Sequence, residues 1–249
     1  METQTPMQDS SLTKEDGRLV RGEATRERVL DAAERLFADQ GFDGVSIRQI
    51  ANEAGVTLGV VGFHGGSKAE LFATILRRRS AALSQARRVA LATATGAGSG
   101  TLALHDVMQA YIRPYIELAS SGDPQWEAYA RLIAHMVSDE RWYPSVKDLY
   151  DPVAREFLAV IAGQWPQADP GRLAAAFVMS VAAMLSIVAS TLRISVLAGS
   201  GQADAKPSPF QLCDVLVDFC TGGIERAALG VSGSPGRAKG GPAGNGRSV

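Results

Sequence analysis

The sequence predicts an all-α protein, and three observations support this fold class. Apolar residues recur at spacings of three and four, for example at Val29, Ala33, Leu36 and Phe37, as one face of a helix requires. Alternating runs of β-branched residues, which would indicate half-buried strands, do not occur. Four pairs of an N-cap residue and a proline predict the starts of helices further along the chain: Asp123-Pro124, Asp151-Pro152, Asp169-Pro170 and Ser208-Pro209.

Length and composition place the chain among ordinary globular proteins. Its 249 residues are 46% apolar and 20% charged, which suits one large domain or two smaller ones. Residues 1–21 are polar without periodicity, and residues 230–249 contain seven glycines, so we predict that both ends are disordered. The Gly/Ser stretch at 96–100 predicts a boundary between a first domain at 22–95 and a second at 101–229.

Two features favour a cytoplasmic protein. Cys213 and Cys220 lie seven residues apart in a helical pattern, on one face but too far apart for a disulfide, as expected in a reducing compartment. The first seventeen residues have no apolar core and carry four acids against one lysine, unlike a secretory signal. The uncharged stretch from Leu173 to Leu192 is long enough to span a bilayer, but its six alanines and four Ser or Thr residues predict a long buried helix and no membrane partner.

The net charge of −1 conceals an uneven distribution of charge. Residues 18–90 carry twelve Lys or Arg against eight Asp or Glu, whereas residues 91–230 carry nine against fourteen. A basic segment joined to an acidic one is typical of a nucleic-acid-binding domain attached to another domain, although a basic helix face is often merely solvated.

Helix start and stop signals divide the basic segment into four helices. Thr25 is a candidate N-cap for a helix that ends before Gly41, and Thr57 is a candidate N-cap for a very short third helix. Two capping boxes, each a serine followed three residues later by Glu or Gln, open the second and fourth helices: Ser46 with Gln49, and Ser67 with Glu70.

The second and third helices have the pattern of a helix-turn-helix. Ile50, Ala51 and Ala54 form the inner face of the second helix, and Ala51 is small enough for the next helix to cross there. Gly55 suits the left-handed backbone of a sharp turn, and Val56 would fill the core behind it. From these residues alone, a structural helix pair and a DNA-binding motif remain equally open.

The stretch from Thr25 to Phe72 contains a specific set of motifs. They are Ala32-Ala33, Leu36-Phe37, Gly41-Phe42, Ile50-Ala51, Ala54-Gly55-Val56, Ser67-Lys68 and Leu71. By these motifs the chain resembles the N-terminal domain of the TetR/AcrR family of transcriptional regulators. The resemblance implies a homodimer of all-helical subunits, in which three N-terminal helices bind double-stranded operator DNA and a larger C-terminal domain binds a small-molecule effector.

The resemblance places the groove-entering helix on Thr57 to Phe63. It implies that Arg48 is the best candidate for a bidentate contact with guanine, with Leu58 and Val60 facing thymine methyl groups. Lys68 has a physical reason to hold phosphate, because it begins a helix whose N-terminal amides favour an anion. The predicted DNA-binding residues are Ser46, Arg48, Thr57, Leu58, Val60, Phe63, His64 and Lys68.

Glycines distinguish this segment from most members of the family. Gly62 to Gly65 replace the usual phosphate-binding tyrosine and its aromatic neighbour, and with the glycines at 59 and 66 they make the helix costly to order. A helical dimeric sensor with a degenerate DNA site is therefore an alternative.

A nucleotide-binding loop is disfavoured, because no strand precedes these residues and the order is Gly-Ser-Lys, not Gly-Lys-Ser/Thr.

Aromatic and methionine side chains in the second domain predict a ligand cavity between helices, although most of them also suit a plain core. Arg131 and His135, four residues apart, are candidates to grip a carboxylate. The stretch from Tyr129 to Val160 resembles the C-terminal domains of family members that respond to fatty acids or other apolar ligands. The candidate ligand-binding residues are Met108, Tyr111, Tyr115, Trp126, Tyr129, Arg131, His135, Met136, Phe177 and Met184.

No pattern in the sequence predicts catalysis, a metal or another cofactor. The sequence shows no metal-spaced His/Cys set and no Ser-His-Asp arrangement, so an all-α enzyme is the weaker alternative. The last two helices, predicted at 170–197 and 209–229, are the longest apolar segments. A monomer would expose too much of them, so we expect them to form a homodimer.

Overall fold

The part of the chain that the structure describes is all-α, as the sequence predicts. The computed structural model describes residues 10–96, 102–137, 140–199 and 207–230, and no strand occurs in these ranges. Short 3₁₀ turns at Glu140–Trp142 and Phe210–Leu212 precede the seventh and ninth helices. The helices are α1 (Ser10–Gly44), α2 (Ile47–Ala54), α3 (Leu58–Gly65), α4 (Lys68–Gly96), α5 (Leu104–Ala119), α6 (Pro124–Val137), α7 (Tyr143–Gln164), α8 (Pro170–Leu197) and α9 (Cys213–Leu229).

Helices α1 to α3 and the first turns of α4 form the N-terminal unit. The predicted inner face of α1 is buried, since Val29, Ala33 and Phe37 have no exposed surface. Ile50 of α2 and Val61 of α3 are equally buried, so the three helices share one small core. Burial of each of the four larger side chains stabilises the fold by about 1.5–3 kcal/mol relative to its exposed state, and together they fix how α2 and α3 lie on α1.

Helix α1 is longer than the sequence predicts. The expected helix began at Thr25 after a disordered segment at 1–21, whereas α1 begins at Ser10. Thr25 lies inside the helix, where its hydroxyl donates to the carbonyl of Arg21 at 2.9 Å and caps no end. A helix that is already formed propagates at little cost through residues without proline, and residues 10–21 contain none. The predicted break at Gly41 is present, with φ 71°.

Three of the four predicted helix starts agree with the structure, and one is wrong. Pro124 and Pro170 are the first residues of α6 and α8, and Pro209 directly precedes the 3₁₀ turn before α9. Pro152 lies inside α7, which begins at Tyr143. The helix tolerates the missing backbone donor because its buried face continues beyond the proline.

Helix α4 joins the two units. It begins at Lys68 in the N-terminal unit, and it also packs against α5 and α7 before it ends at Gly96. The domain boundary predicted after residue 95 falls at the end of this helix. Residues 97–101 lie outside the described residues, as do residues 1–9 and the predicted disordered tail from 231 onward. One continuous helix therefore runs from the helix-turn-helix into the second unit.

Helices α5 to α9 form the larger C-terminal unit around buried aromatic side chains. Tyr111 of α5 packs edge-on against Phe157 of α7 and Phe177 of α8, with ring centroids 5.0 and 4.9 Å apart. Helices α8 and α9 pack against each other. Cys213 and Cys220 of α9 are buried free thiols, in agreement with their predicted spacing.

Helix α8 contains the long uncharged segment. By length and composition, Pro170–Val188 is the one stretch of the described chain able to cross a membrane, with a mean hydropathy of 1.9. Phe177 and Met184 face the interior, whereas Val178 and Met179 are exposed. The helix is thus half-exposed and not fully buried as predicted, because no other helix of the described chain covers its outer apolar face.

A buried ion pair joins α1 to α4. Glu34 of α1 is fully buried, and its carboxylate accepts hydrogen bonds from Arg79 Nε at 2.8 Å and Arg79 Nη2 at 2.7 Å. Arg78 Nη2 and Gln125 Nε2 donate to the same carboxylate at 3.3 and 3.2 Å. Burial alone would lower the Arg79 pKa, but the hydrogen bond and charge of Glu34 outweigh burial and raise it. These contacts hold α1, α4 and the start of α6 in one arrangement.

Candidate functional site

Local hydrogen bonds build the turn between α2 and α3. The Ser46 capping box forms as predicted: Gln49 N donates to Ser46 Oγ at 3.3 Å, and Ser46 N donates to Gln49 Oε1 at 2.8 Å. Gly55 adopts φ 64° and ψ 40°, and the N–H groups of Gly55 and Val56 both donate to the carbonyl of Ala51. These bonds end α2 and turn the chain into α3, which is the geometry of a helix-turn-helix.

Helix α3 presents most of its surface to solvent. Val61 is its buried residue, whereas Phe63 is 85% exposed and Leu58 is 57% exposed. Thr57 precedes the helix, but its hydroxyl makes no capping hydrogen bond, unlike the cap that the sequence predicts. Exposed apolar side chains beside a free hydroxyl suit contacts with thymine methyl groups and base edges in a DNA groove.

Arg48 of α2 lies on the helix that packs against α3. It is exposed and makes no hydrogen bond or ion pair with any residue that the structure describes. Val60 and His64 of α3 are partly exposed, and the His64 ring packs edge-on against Phe63 with centroids 5.0 Å apart. These side chains are therefore open to a partner outside the chain.

Lys68 has partners within the chain that the sequence does not predict. Its ammonium donates to the carbonyls of Phe42 at 3.0 Å and Val45 at 2.9 Å, and it lies 4.5 Å from the centroid of the Phe42 ring. These contacts fix the end of α1 beside the start of α2. Because an ammonium group has three donors, one N–H remains for the phosphate contact predicted at this helix start.

The four glycines at the end of the helix-turn-helix are of two kinds. A side chain at Gly59 or Gly62 would meet no atom within 4 Å. At Gly65 a Cβ would lie 2.3 Å from Cδ2 of the buried Leu71, and Gly66 has φ 66°. The last two glycines let α3 end close to α4, whereas the first two only weaken the helix.

A cavity of about 760 Å³ lies among α4, α5, α6, α7 and α8. This volume is within the range of sites that hold drug-sized ligands, about 300–1,000 Å³. Most of the wall is aromatic or aliphatic. The lining residues are Leu83, Arg87, Tyr111, Tyr115, Tyr129, Ile133, Met136, Glu140, Tyr143, Pro144, Val146, Tyr150, Asp151, Ala154, Arg155, Leu158, Ala174, Phe177, Val178, Val181, Met184 and Leu185.

Six of the ten predicted ligand-binding residues line this cavity, and four do not. Met108 is fully buried in the core outside the cavity wall. Trp126 packs under the guanidinium of Arg79, whose Cζ lies 4.9 Å from the centroid of the Trp126 ring. It therefore belongs to the junction of α1, α4 and α6. The six on the wall are Tyr111, Tyr115, Tyr129, Met136, Phe177 and Met184.

Arg131 and His135 do not form the predicted carboxylate grip in this cavity. Arg131 is exposed and pairs with Asp39 of α1 at 3.1 Å. His135 is exposed and lines a separate space of about 320 Å³ between the two units. Residues four apart share one helix face, and the cavity receives a different face of α6, which carries Tyr129 and Met136.

Arg87 of α4 is the cavity residue that the sequence analysis missed, because its charge was assigned to the basic first domain. It is 2% exposed and lies on the cavity wall. Nε donates to the Tyr111 carbonyl at 2.9 Å, Nη2 lies 3.5 Å from Met184 Sδ, and Cζ lies 3.8 Å from the centroid of the Tyr111 ring. The available signal was spacing: Ser80, Leu83 and Arg87 follow the periodicity of the buried face of α4.

Tyrosine hydroxyls supply other polar groups of the cavity wall. The hydroxyls of Tyr129 and Tyr150, the second of which the sequence analysis also missed, share a hydrogen bond of 2.6 Å. Burial raises the pKa of Tyr115, Tyr129 and Tyr150, and the positive charge of Arg87 partly opposes the rise in each. These hydroxyls therefore stay protonated at neutral pH. Tyr115 Oη already donates to the Ala130 carbonyl at 3.5 Å, and one hydroxyl of the Tyr129–Tyr150 pair donates to the other, so the pair keeps one free O–H.

A polar cluster on α7 lies at the mouth of the cavity. Tyr143 Oη donates to Asp151 Oδ2 at 2.9 Å, and Arg155 Nη2 donates to the same oxygen at 3.0 Å. The hydrogen bond to Asp151 and the charge of that carboxylate raise the Tyr143 pKa. The Asp151 carboxylate is thus already paired near the surface.

Trp142 connects the mouth of the cavity to the N-terminal unit. Its ring centroid lies 5.3 Å from that of Phe42 and 5.2 Å from that of Phe72. Glu140 and Tyr143, on either side of it in the chain, line the cavity. Trp142 therefore links the cavity mouth by direct ring contacts to aromatic side chains of the N-terminal unit.

The structure thus offers two candidate binding sites, the exposed surface of α2 and α3 and the cavity of the C-terminal unit. In the described ranges, no group of three or more His, Cys, Asp or Glu side chains is placed to hold a metal ion. The first site suits a DNA groove, and the second suits a small, largely apolar molecule.

Two family models match the chain. The model described as "Bacterial regulatory proteins, tetR family" matches residues 29–75, which include the helix-turn-helix. The model described as "Tetracyclin repressor-like, C-terminal domain" matches residues 109–223, most of the C-terminal unit. Together they cover well over half of the 249 residues.

Curated relatives are similar over a short part of the chain. The HTH-type transcriptional regulator SrpR of Pseudomonas putida is 42% identical over 57 residues, which are 23% of this chain and 27% of that protein. The HTH-type transcriptional regulator AcrR of Shigella flexneri is 45% identical over 51 residues, 20% of this chain and 24% of that protein. The chain thus spans about a quarter of the length of these two relatives.

Solved structures are similar over most of both chains. The fatty acid degradation regulator FadR from Bacillus halodurans superposes with a TM-score of 0.53 at 12% identity, covering 80% of this chain and 96% of that one. FadR from Bacillus subtilis, solved in complex with stearoyl-CoA, gives a TM-score of 0.51 at 12% identity, covering 80% and 98%. At this level of identity the similarity concerns the fold alone.

Alanine at Gly62 and alanine at Gly65 are expected to have opposite effects on stability. Gly62→Ala adds helix propensity in open space and should raise the free energy of unfolding by about 0.5–1 kcal/mol. Gly65→Ala should lower it by about 1–3 kcal/mol, because the new Cβ overlaps the buried Leu71 side chain. Urea unfolding measures both, and Gly59→Ala is the control that should match Gly62→Ala. Loss of stability in Gly62→Ala would contradict the open geometry of α3.

Proposed function

This chain belongs to the TetR family of transcriptional regulators, and on that premise we propose that it is a ligand-responsive repressor. Its relatives regulate transcription, and the chain is not an enzyme. In this proposal it acts in the cytoplasm as a homodimer, binds double-stranded operator DNA through α2 and α3, and releases the DNA when a small apolar or amphipathic effector fills the cavity. The alternative is a helical dimeric sensor whose glycine-rich α3 no longer recognises DNA.

The path of α4 is the observation that carries this proposal. Its first residue, Lys68, fixes the end of α1 beside α2, and its residues Leu83 and Arg87 lie on the cavity wall. A ligand that moves this wall must move a helix that also supports the helix-turn-helix. Since an effector acts by favouring one of two conformations, a rigid helix common to both sites gives it a means to do so.

The contact of Trp142 with the N-terminal unit supports the same coupling. A ligand that displaces Tyr143 at the cavity mouth shifts the adjacent Trp142 ring against Phe42. The carbonyl of Phe42 accepts one of the hydrogen bonds of Lys68. These two connections therefore meet at the end of α1, directly before α2.

On the DNA side, we assign base contacts to the exposed surfaces of α2 and α3 and phosphate contacts to the helix ends. Arg48 would donate two hydrogen bonds to one guanine, and Leu58 would contact a thymine methyl group. Ser46, His64 and the remaining N–H of Lys68 would contact phosphates, which fix the position of the protein on the duplex.

The outer faces of α8 and α9 support a homodimer. Met179 and Val196 of α8 and Val215 and Phe219 of α9 are apolar, yet each is more than half exposed. Because α8 and α9 pack side by side, their outer faces form one apolar surface, and a second copy of the chain would cover both at once. This arrangement also accounts for the exposed side of the uncharged segment without a membrane.

Arg48→Ala is expected to relax the preference for one base pair in each operator half-site, at a cost of about 1–3 kcal/mol in operator affinity. Arg77→Ala is the matched control, because Arg77 is exposed on α4 and bonds only within its own helix, to Thr74. It removes the same charge and should leave the sequence preference unchanged. Competition titrations with duplexes from upstream of the gene, with one base pair varied at a time, measure both variants.

The same titrations separate the repressor from the degenerate sensor. Gly62→Tyr introduces an aromatic hydroxyl into open space on α3 and should tighten operator binding through helix propensity and a phosphate contact. If the wild type and this variant both bind operator and random duplex equally, the repressor proposal fails and the sensor alternative replaces it.

Ser186→Arg is expected to give monomers in sedimentation. Ser186 is exposed on α8, and an arginine there would place a desolvated charge in the proposed dimer interface. Ala81→Arg, an exposed position on α4, is the matched control and should remain dimeric. An unaffected dimer in Ser186→Arg would move the interface to another surface.

A further inference from the structure

Arg87 brings into the cavity a positive charge that no acid of the described chain pairs with. The residue is 2% exposed, and its partners are the Tyr111 carbonyl, the Met184 sulfur and the face of the Tyr111 ring. A buried guanidinium without an anion is costly, and a neutral carbonyl and an aromatic face recover part of that cost. Its Nη1 has no hydrogen-bond partner among the described residues. An anionic group is the partner that this arrangement lacks.

The acids on the cavity wall do not supply that group. Asp151 accepts hydrogen bonds from Tyr143 and Arg155 at the mouth. Glu140 is exposed and forms no ion pair with Arg87. Neither acid reaches Arg87, so its charge in the interior stays without an acidic partner among the described residues.

Further donors and the apolar wall define the rest of the ligand. Tyr115, Tyr129 and Tyr150 line the same cavity as Arg87; the Tyr115 hydroxyl already donates to the Ala130 carbonyl, whereas the hydrogen-bonded Tyr129–Tyr150 pair keeps one free O–H. Leu158 and Phe177 belong to the apolar wall. The cavity thus combines N–H and O–H donors with a large apolar surface, which suits a molecule with one anionic group and an apolar body.

We infer that the effector is an organic monocarboxylate with an apolar body, whose carboxylate is bound by Arg87 with the help of the tyrosine hydroxyls. This inference rests on the proposed function, since it names the chemical class of its effector. A guanidinium binds a carboxylate through two parallel N–H···O bonds, and a single fixed cation matches a single negative charge. Binding would compete with the Tyr111 carbonyl for the guanidinium and so alter a contact between α4 and α5.

Displacement of Nile red, a neutral apolar dye, measures occupancy of the cavity in the absence of DNA. Decanoate, decanol and decylammonium share one chain length and differ in charge. The wild type is expected to bind decanoate at least about tenfold more tightly than decanol, and decylammonium more weakly than either. Arg87→Met should bind Nile red and decanol like the wild type but lose the preference for decanoate, whereas Arg87→Lys should keep part of it. Arg77→Met, on the exposed side of the same helix and outside the cavity wall, is the matched control and should behave like the wild type.

Equal displacement by the three compounds, or a preference for decanoate that survives in Arg87→Met, overturns the inference and leaves the cavity as a ligand site. Failure of Nile red to bind the wild type contradicts the ligand-responsive part of the proposed function itself. Circular dichroism checks that Arg87→Met folds. If Arg87→Met does not fold, the test uses Arg87→Lys and Tyr150→Phe. The inference holds only if both variants weaken the binding of decanoate more than the binding of decanol.

Discussion

Glu34 places a carboxylate in the interior where α1, α4 and α6 meet, and Arg79 neutralises it through two hydrogen bonds. Without that partner the buried charge would cost several kcal/mol, because water does not reach it. The pair therefore dictates how α4 lies against α1, and with it where α2 and α3, which pack on α1, stand relative to the cavity. Gln125 of α6 donates to the same carboxylate and so joins the C-terminal unit to α1 and α4.

Three cations along α4 bind three different parts of the molecule. Lys68 fixes the end of α1, Arg79 holds Glu34, and Arg87 lies on the cavity wall. Because they share one helix, a change at Arg87 is not absorbed by a flexible linker before it reaches the helix-turn-helix. These three of the twelve cations at 18–90 therefore bind groups within the protein, and Arg48 differs from them in facing outward.

Features that depend on neighbours along the chain could be predicted from the sequence, and features that depend on distant packing could not. The Ser46 capping box and the turn at Gly55 are closed by hydrogen bonds within a few residues. The continuation of α1 before Thr25 and of α7 through Pro152 depends on the whole helix. Arg87 was missed because counting charges treats every arginine as exposed, whereas its place in the buried spacing of α4 marks it as internal. The roles of the DNA-facing residues and of the dimer surface stay predictions.

A double-mutant cycle with Glu34→Leu and Arg79→Met, followed by urea unfolding, tests most directly whether this pair holds α1 and α4 together. Glu34→Leu is expected to lose about 3–5 kcal/mol of unfolding free energy, because it leaves the half-buried Arg79 without its acid. Arg79→Met should lose less, because Arg78 and Gln125 still donate to the Glu34 carboxylate. The double variant, which buries neither charge, should be no less stable than either single variant. If the loss in the double variant equals the sum of the two single losses to within about 0.5 kcal/mol, the two side chains act independently. That result would contradict the role assigned to the pair.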